Sequence, residues 1–191
     1  MQHDNALIAL NLPQADLSQD TLAYFAKCEE KLGLIPNVLL AYAFDEKKLR
    51  CFTDFYNEHM LGDSGLSKLE REMIAVVVSA ENHCHYCIVA HGAAVRALSG
   101  DPAFGDTLCV NYRAATLEPR HRAMLDYAAK MTKSPDTVDA ADTDALRAAG
   151  FSDRTIWDIT AVAAFFNMTN RVATATKMRP NAEYYAMARS L

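Results

Sequence analysis

The sequence predicts an all-α protein, and three observations carry that prediction. No stretch alternates apolar and polar residues with the period of two that a half-buried strand needs. Apolar residues instead recur three and four apart, as in Leu49, Phe52, Phe55 and Tyr56. Helix punctuation also repeats along the chain, with Ser or Asp ahead of such runs and Gly or Pro behind them.

Taken in order, residues 1–17 read as an N-terminal arm. It has an apolar patch at 6–10, then Pro13 and polar residues, suited to a short strand or an extended segment laid over a neighbour. Residues 18–191 read as a single helical domain. Ser18 or Asp20 caps a helix through TLAYFAKCEEKLG, which stops at Gly33 with Pro36 beyond. Pro36 or Asn37 starts NVLLAYAFD, which continues or kinks into EKKLRCFTDFYNEHML. Gly62-Asp63-Ser64-Gly65 then breaks the chain. Leu66 is a staple residue ahead of Ser67, and Ser67 with Glu70 three positions on forms a capping box that opens a helix at 67–80. The β-branched run at 73–78 admits a strand, but the box and the charged LEREM turn favour a fully buried helix. Asn82 or His83 caps the next helix, at 84–98, which ends before Gly100-Asp101-Pro102. A short segment at 106–115 precedes a helix opened by Glu118-Pro119 and ended by Ser134-Pro135. Another covers 138–149 and closes at Gly150. The last long helix is capped by Ser152 or Asp153 and runs to Met178, with Pro180 as its stop, and NAEYYAMARSL adds a final turn or two.

Composition narrows the function classes. A chain of 191 residues, 51% apolar, can bury a real core. Its net charge of −5 is mild, and Lys and Arg are scattered rather than gathered into the patch a nucleic-acid partner needs. The longest uncharged apolar run, MIAVVVSA, is far shorter than the roughly 20 residues of a membrane span. MQHDNALIAL has no basic region ahead of an apolar segment, so a cytoplasmic protein is expected, with no membrane partner. The five cysteines follow no disulfide-framework spacing, and Cys28, Cys51 and Cys109 are expected to be buried core thiols. Apolar faces at 76–78, at Phe52, Phe55 and Tyr56, and at Trp157 with Phe165 and Phe166 exceed what one interior needs, which points to a homo-oligomer.

The chemistry lies between Leu66 and Leu98. Cys84 and Cys87 form a Cys-x-x-Cys pair at the start of a helix, with His91 four residues further, and these spacings align the three side chains along one face. Glu72, on the preceding helix, is placed to fold back against them. A thiol becomes a nucleophile as its thiolate, which a helix N-terminus or a cationic neighbour favours. Position alone therefore favours Cys84, in the first turn, whereas Cys87 has His91 one turn on. One thiol can attack and the other close a disulfide. His83 and His85 bracket Cys84 and point away from His91. The competing reading is zinc, held by Cys84, Cys87 and His91 with His83, Glu72 or His85. Structural zinc usually draws on two separated ligand pairs, and no second pair is present, so neither a metal nor another cofactor is expected. Asn167 and Asn170 beside Arg171 are polar residues in an apolar context, suited to hydrogen-bonding a loop or a subunit.

Glu72, eleven intervening residues, Cys84-His85-Tyr86-Cys87 and three more residues to His91 resemble the signature of the AhpD-like family, within the alkylhydroperoxidase and carboxymuconolactone decarboxylase superfamily. Weaker likeness continues to about Thr176, through AAGFSDRTIWDIT and FFNMTNRVA, and the whole is most similar to the peroxidase-related branch. The resemblance implies an AhpD-like helical fold that assembles into homo-oligomers. It further implies a thiol-dependent peroxidase acting on small hydroperoxides and recycled by a dithiol or lipoyl-type reductant protein. In the family pattern Cys87 is peroxidatic, Cys84 resolves, and Glu72 and His91 occupy the proton-relay positions. Tyr86 stands where the best-known peroxidase of the family has histidine, and a tyrosine hydroxyl is a poor base near neutrality. Both cysteines set the chain apart from the decarboxylase branch, which generally lacks the pair. The alternative is a non-catalytic oligomeric protein whose thiols sense redox state, bind metal or serve structure.

Overall fold

The computed structural model describes residues 6–189. Among them the secondary structure is entirely helical: α1 (Gln19–Leu32), α2 (Asn37–Tyr42), α3 (Glu46–Leu61), α4 (Lys68–Glu81), α5 (His85–Ser99), α6 (Pro102–Asn111), α7 (Pro119–Lys133), α8 (Ala140–Ala148), α9 (Asp153–Ala175) and α10 (Glu183–Ala186). Single 3-10 turns follow α6 at Tyr112–Ala114 and α7 at Pro135–Thr137. No helix among the described residues is long and apolar enough to cross a membrane.

The punctuation in the sequence does most of this work. Ser18 caps α1 by accepting the Thr21 N–H at 3.3 Å, and Gly33 ends it in the left-handed conformation at φ 73°. The Ser67–Glu70 capping box opens α4, and Ser152 caps α9. Asp45 caps α3 and so separates it from α2, which resolves the kink.

α4 is the central helix and packs against α5, α6, α7 and α9. Every side chain from Met73 to Val78 is fully buried. A helix apolar on all sides is stable only when surrounded, and here burial contributes about 1.5–3 kcal/mol for each Val, Ile or Met. The strand propensity of that run is overridden by its company. α6 lies close along α5 because Gly92 and Gly105 are bare: a Cβ on Gly92 would sit 2.6 Å from the Cys109 sulfur, and one on Gly105 would sit 2.5 Å from Arg96 Cγ.

Several expectations are corrected. Neither Asn82 nor His83 caps α5. Asn82 is the C-cap of α4, His83 adopts φ 54°, and Cys84 itself is the N-cap of α5. The segment expected at 106–115 starts four residues earlier, because Asp101 caps it and Pro102 takes the first helical position. α9 ends at Ala175, before the expected Met178, where Lys177 turns left-handed at φ 54°. Cys51 is exposed and Cys28 and Cys109 are half-buried, so none of the three is a fully buried core thiol. The valines at 76–78 and Phe165 and Phe166 are buried within this one chain, and Phe52 and Tyr56 pack against its core. Of the residues in those three faces, Phe55 and Trp157 remain exposed. Residues 6–17 hold no helix or strand. They bend at 7–10 and are held to the helical body by the Ala9 N–H donating to Thr176 O and the Ala15 N–H to Ala43 O. Residues 1–5 of the expected arm, His3 included, lie outside the described residues.

Candidate active site

The turn between α4 and α5 brings the predicted residues together. The Cys84 N–H donates to Ser79 O at 2.9 Å, which folds the chain sharply back and sets Cys84 over the open N-terminus of α5. Asn82 is pinned at the same turn, its side-chain amide donating to Asn167 and Asn170 of α9, both at 3.0 Å. Asn170 in turn donates to Ser79 Oγ at 3.0 Å. The asparagines that looked out of place in an apolar helix thus hold the loop that carries Cys84.

Cys84 and Cys87 are both buried free thiols, and the Cys87 thiol donates to the Cys84 sulfur. That bond takes the Cys84 pKa down to about 6 against the opposing effect of burial, and the Cys87 backbone N–H and Thr174 hydroxyl add to it. The same bond, with burial, raises Cys87 above its ordinary range, although Asn170 and Ser79 hydrogen-bond its sulfur and pull the other way. Ser79, Asn170 and Thr174 are contacts that spacing in the sequence did not reveal. Only the polar character of Asn170 on an apolar helix pointed to one of them.

Glu72 and His91 meet as expected. His91 Nδ1 lies 2.6 Å from Glu72 Oε2, both side chains being nearly buried, and the His91 ring stands edge-on to Phe166 at 4.5 Å. Glu72, His91 and Cys87 line one cavity of about 810 Å³, otherwise dominated by aliphatic and aromatic side chains. Cys84 opens instead onto a second cavity of about 450 Å³, beside His83, His85, Lys177 and Arg179. Tyr86 lies in the wall of both. Its hydroxyl accepts the Val38 N–H at 3.0 Å, and burial raises its pKa well above the ordinary range. Tyr86 thus ties α5 to the start of α2 and divides the space around the two sulfurs. His85 contacts the Tyr185 hydroxyl at 2.9 Å, remote from the Glu72–His91 pair. Among the described residues no group of three or more His, Cys, Asp or Glu side chains is placed to hold a metal ion.

Comparison with known proteins places this geometry. The model of the carboxymuconolactone decarboxylase family matches residues 47–103. The chain is 59% identical to an uncharacterized peroxidase-related protein from Silicibacter sp. TM1040, covering 99% of this chain and 100% of that one, with a TM-score of 0.95. It is 42% identical to an uncharacterized peroxidase-related protein from Ralstonia eutropha JMP134, described as an alkylhydroperoxidase AhpD core, covering 97% and 98% of the two chains with a TM-score of 0.93. The debrominase Bmp8, 18% identical over 93% of this chain and 95% of its own, shares the fold at a TM-score of 0.77. No curated protein matches in sequence. The chain belongs to the carboxymuconolactone decarboxylase superfamily, in its AhpD-like, peroxidase-related branch.

Proposed function

We propose that the protein is a thiol-dependent peroxidase that reduces organic hydroperoxides with the Cys84–Cys87 pair. One observation carries the reading: Cys87 shares a largely apolar cavity with the hydrogen-bonded Glu72–His91 pair, while Cys84 opens onto a separate cavity. A peroxide bound in that cavity would lie between the sulfur and the acid–base pair. The Glu72–His91 pair takes the Cys87 proton, the thiolate attacks the terminal peroxide oxygen, and the O–O bond breaks. The proton returns to the leaving oxygen, giving an alcohol and a sulfenic acid on Cys87. Cys84 then attacks the Cys87 sulfur as its thiolate, and the displaced hydroxide takes a proton from solvent and leaves as water, forming the disulfide. A reductant dithiol restores both thiols and is itself oxidised to a disulfide.

This assignment reconciles the two positional readings. The helix terminus favours Cys84 as the thiolate, and a resolving cysteine needs that property. Cys87 is the sulfur that the substrate cavity reaches. In this scheme a dithiol or lipoyl-type protein meets the disulfide from the Cys84 side, and the working unit is a homo-oligomer. A steady-state assay with cumene hydroperoxide and a panel of dithiols tests the proposal. Multiple turnovers, lost in Cys84→Ser and Cys87→Ser, are expected. Loss of two thiols per chain without turnover under any dithiol would instead make the protein a redox sensor.

A further inference from the structure

The Cys87 cavity is much larger than a hydroperoxide group requires, and its lining is sorted by charge. From Cys87 it follows α5 past Ala90, Ala94 and Ala97 to Leu98, eleven residues or about 16 Å of helix. The alanines keep this trough open, and its far end is exposed while Cys87 is buried. Among the described residues Glu72 is the only carboxylate in the lining, and it is bonded to His91 at the buried end. Lys27 and Lys31, one turn apart on α1, and Lys68 at the start of α4 line the same cavity and are exposed to solvent. None of these lysines has an ion-pair partner among the described residues.

We propose that this cavity binds an anionic amphiphile, a fatty-acid-type carboxylate whose head group meets Lys27, Lys31 and Lys68 while its chain lies along the α5 trough toward Cys87. The polarity permits one orientation only: a carboxylate at the buried end would face Glu72, and an apolar tail at the mouth would strand three cations beside hydrocarbon. A cavity of 300–1,000 Å³ is the size that encloses most of a drug-sized molecule, and apolar walls with a few charges at one end select for an amphiphile. With the peroxidase reading, on which this step rests, the preferred substrate becomes a hydroperoxide carried on such a chain. The binding itself does not depend on that chemistry.

The test uses cis-parinaric acid, a fluorescent polyene fatty acid without a hydroperoxide, and its methyl ester. The acid is expected to bind the reduced protein saturably. Combining Lys27→Gln, Lys31→Gln and Lys68→Gln should weaken it about 10-fold or more, the sum of three modest surface charge contacts. The ester should bind both proteins alike, and Ala94→Trp, which fills the trough, should abolish binding of both ligands. Equal affinity of the acid for the parent and the lysine variant, or no saturable binding, overturns the proposal. Binding as expected with no oxidation of Cys87 by any hydroperoxide leaves this site standing and removes the peroxidase reading. Turnover of cumene hydroperoxide without parinaric acid binding does the reverse.

Discussion

At the scale of the residue, the two thiols differ because one hydrogen bond acts on them in opposite senses. Cys84 accepts the Cys87 proton and titrates at about 6, so it is anionic above that pH and protonated below it. Closure of the disulfide needs the Cys84 thiolate, so its rate should fall as the pH is lowered and Cys84 takes up a proton. Stopped-flow closure rates after a peroxide pulse check this, and a pH-independent rate would argue that Cys84 does not resolve. Glu72→Gln and His91→Ala should each slow Cys87 oxidation by about 10²-fold, the usual scale for lost acid–base assistance, with the circular dichroism unchanged. Tyr86 is different in kind, since its hydroxyl is occupied by the Val38 N–H. Tyr86→Phe leaves that half-buried amide without its acceptor, so about 1 kcal/mol of stability should be lost with little change in Cys87 oxidation. A collapse of the rate at unchanged stability would return the hydroxyl to the proton relay.

At the scale of the element, the site depends on how α4 and α5 are anchored. Glu70 is buried in the first turn of α4, where burial raises its pKa but the Ser67 N–H and the Arg120 guanidinium outweigh that and take it below 4.5. Arg120 adds a bond to Gly150 O and stacks 3.6 Å from the Phe151 ring centre, so one carboxylate joins α4, α7 and the turn into α9. A depressed carboxyl stabilises the fold fully above its unfolded value and ceases to do so as pH falls through its folded value. Glu70→Gln should therefore cost about 1–3 kcal/mol at neutral pH, with the difference shrinking below about pH 4.5. Denaturant titrations at both pH values check it, and a constant gap would contradict it. The far end of α5 is tied by buried Arg96, which donates to Tyr184 O and Met187 O and so holds the C-terminal segment against the Cys87 cavity.

At the scale of the whole molecule, the apolar surface open to a second copy is part of what the sequence marked, Phe55 and Trp157, with the remainder buried or packed against the core. Trp157, Met168 and Val172 remain exposed along α9, and Phe55 and Leu61 along α3. If copies associate through α9, Trp157→Lys should shift the protein to smaller species by light scattering. Trp157 is the sole tryptophan, so its emission should also move to the red on dilution. The helices and their starts were legible because caps are local: Ser18, Ser67 and Ser152 each act within three residues of themselves. The Glu72–His91 pairing was legible because the family signature spans both helices. The reversal at His83 was not, since it takes a left-handed conformation in a residue that gives no glycine signal. Nor were Ser79, Asn170 and Thr174 at the sulfurs, or Arg96 on the C-terminal segment, because those contacts join segments that only the tertiary fold brings together.

The central claim is that Cys87 meets the peroxide and Cys84 closes the bridge. It is tested most directly by treating Cys84→Ser and Cys87→Ser proteins with one equivalent of cumene hydroperoxide in the presence of dimedone and mapping the adduct by mass spectrometry. The account predicts a rapidly formed adduct on Cys87 in the first protein, none of comparable speed on Cys84 in the second, and an 84–87 disulfide in the unmodified chain. Equally rapid labelling of Cys84 when Cys87 is absent, with Cys87 inert when Cys84 is absent, would contradict it.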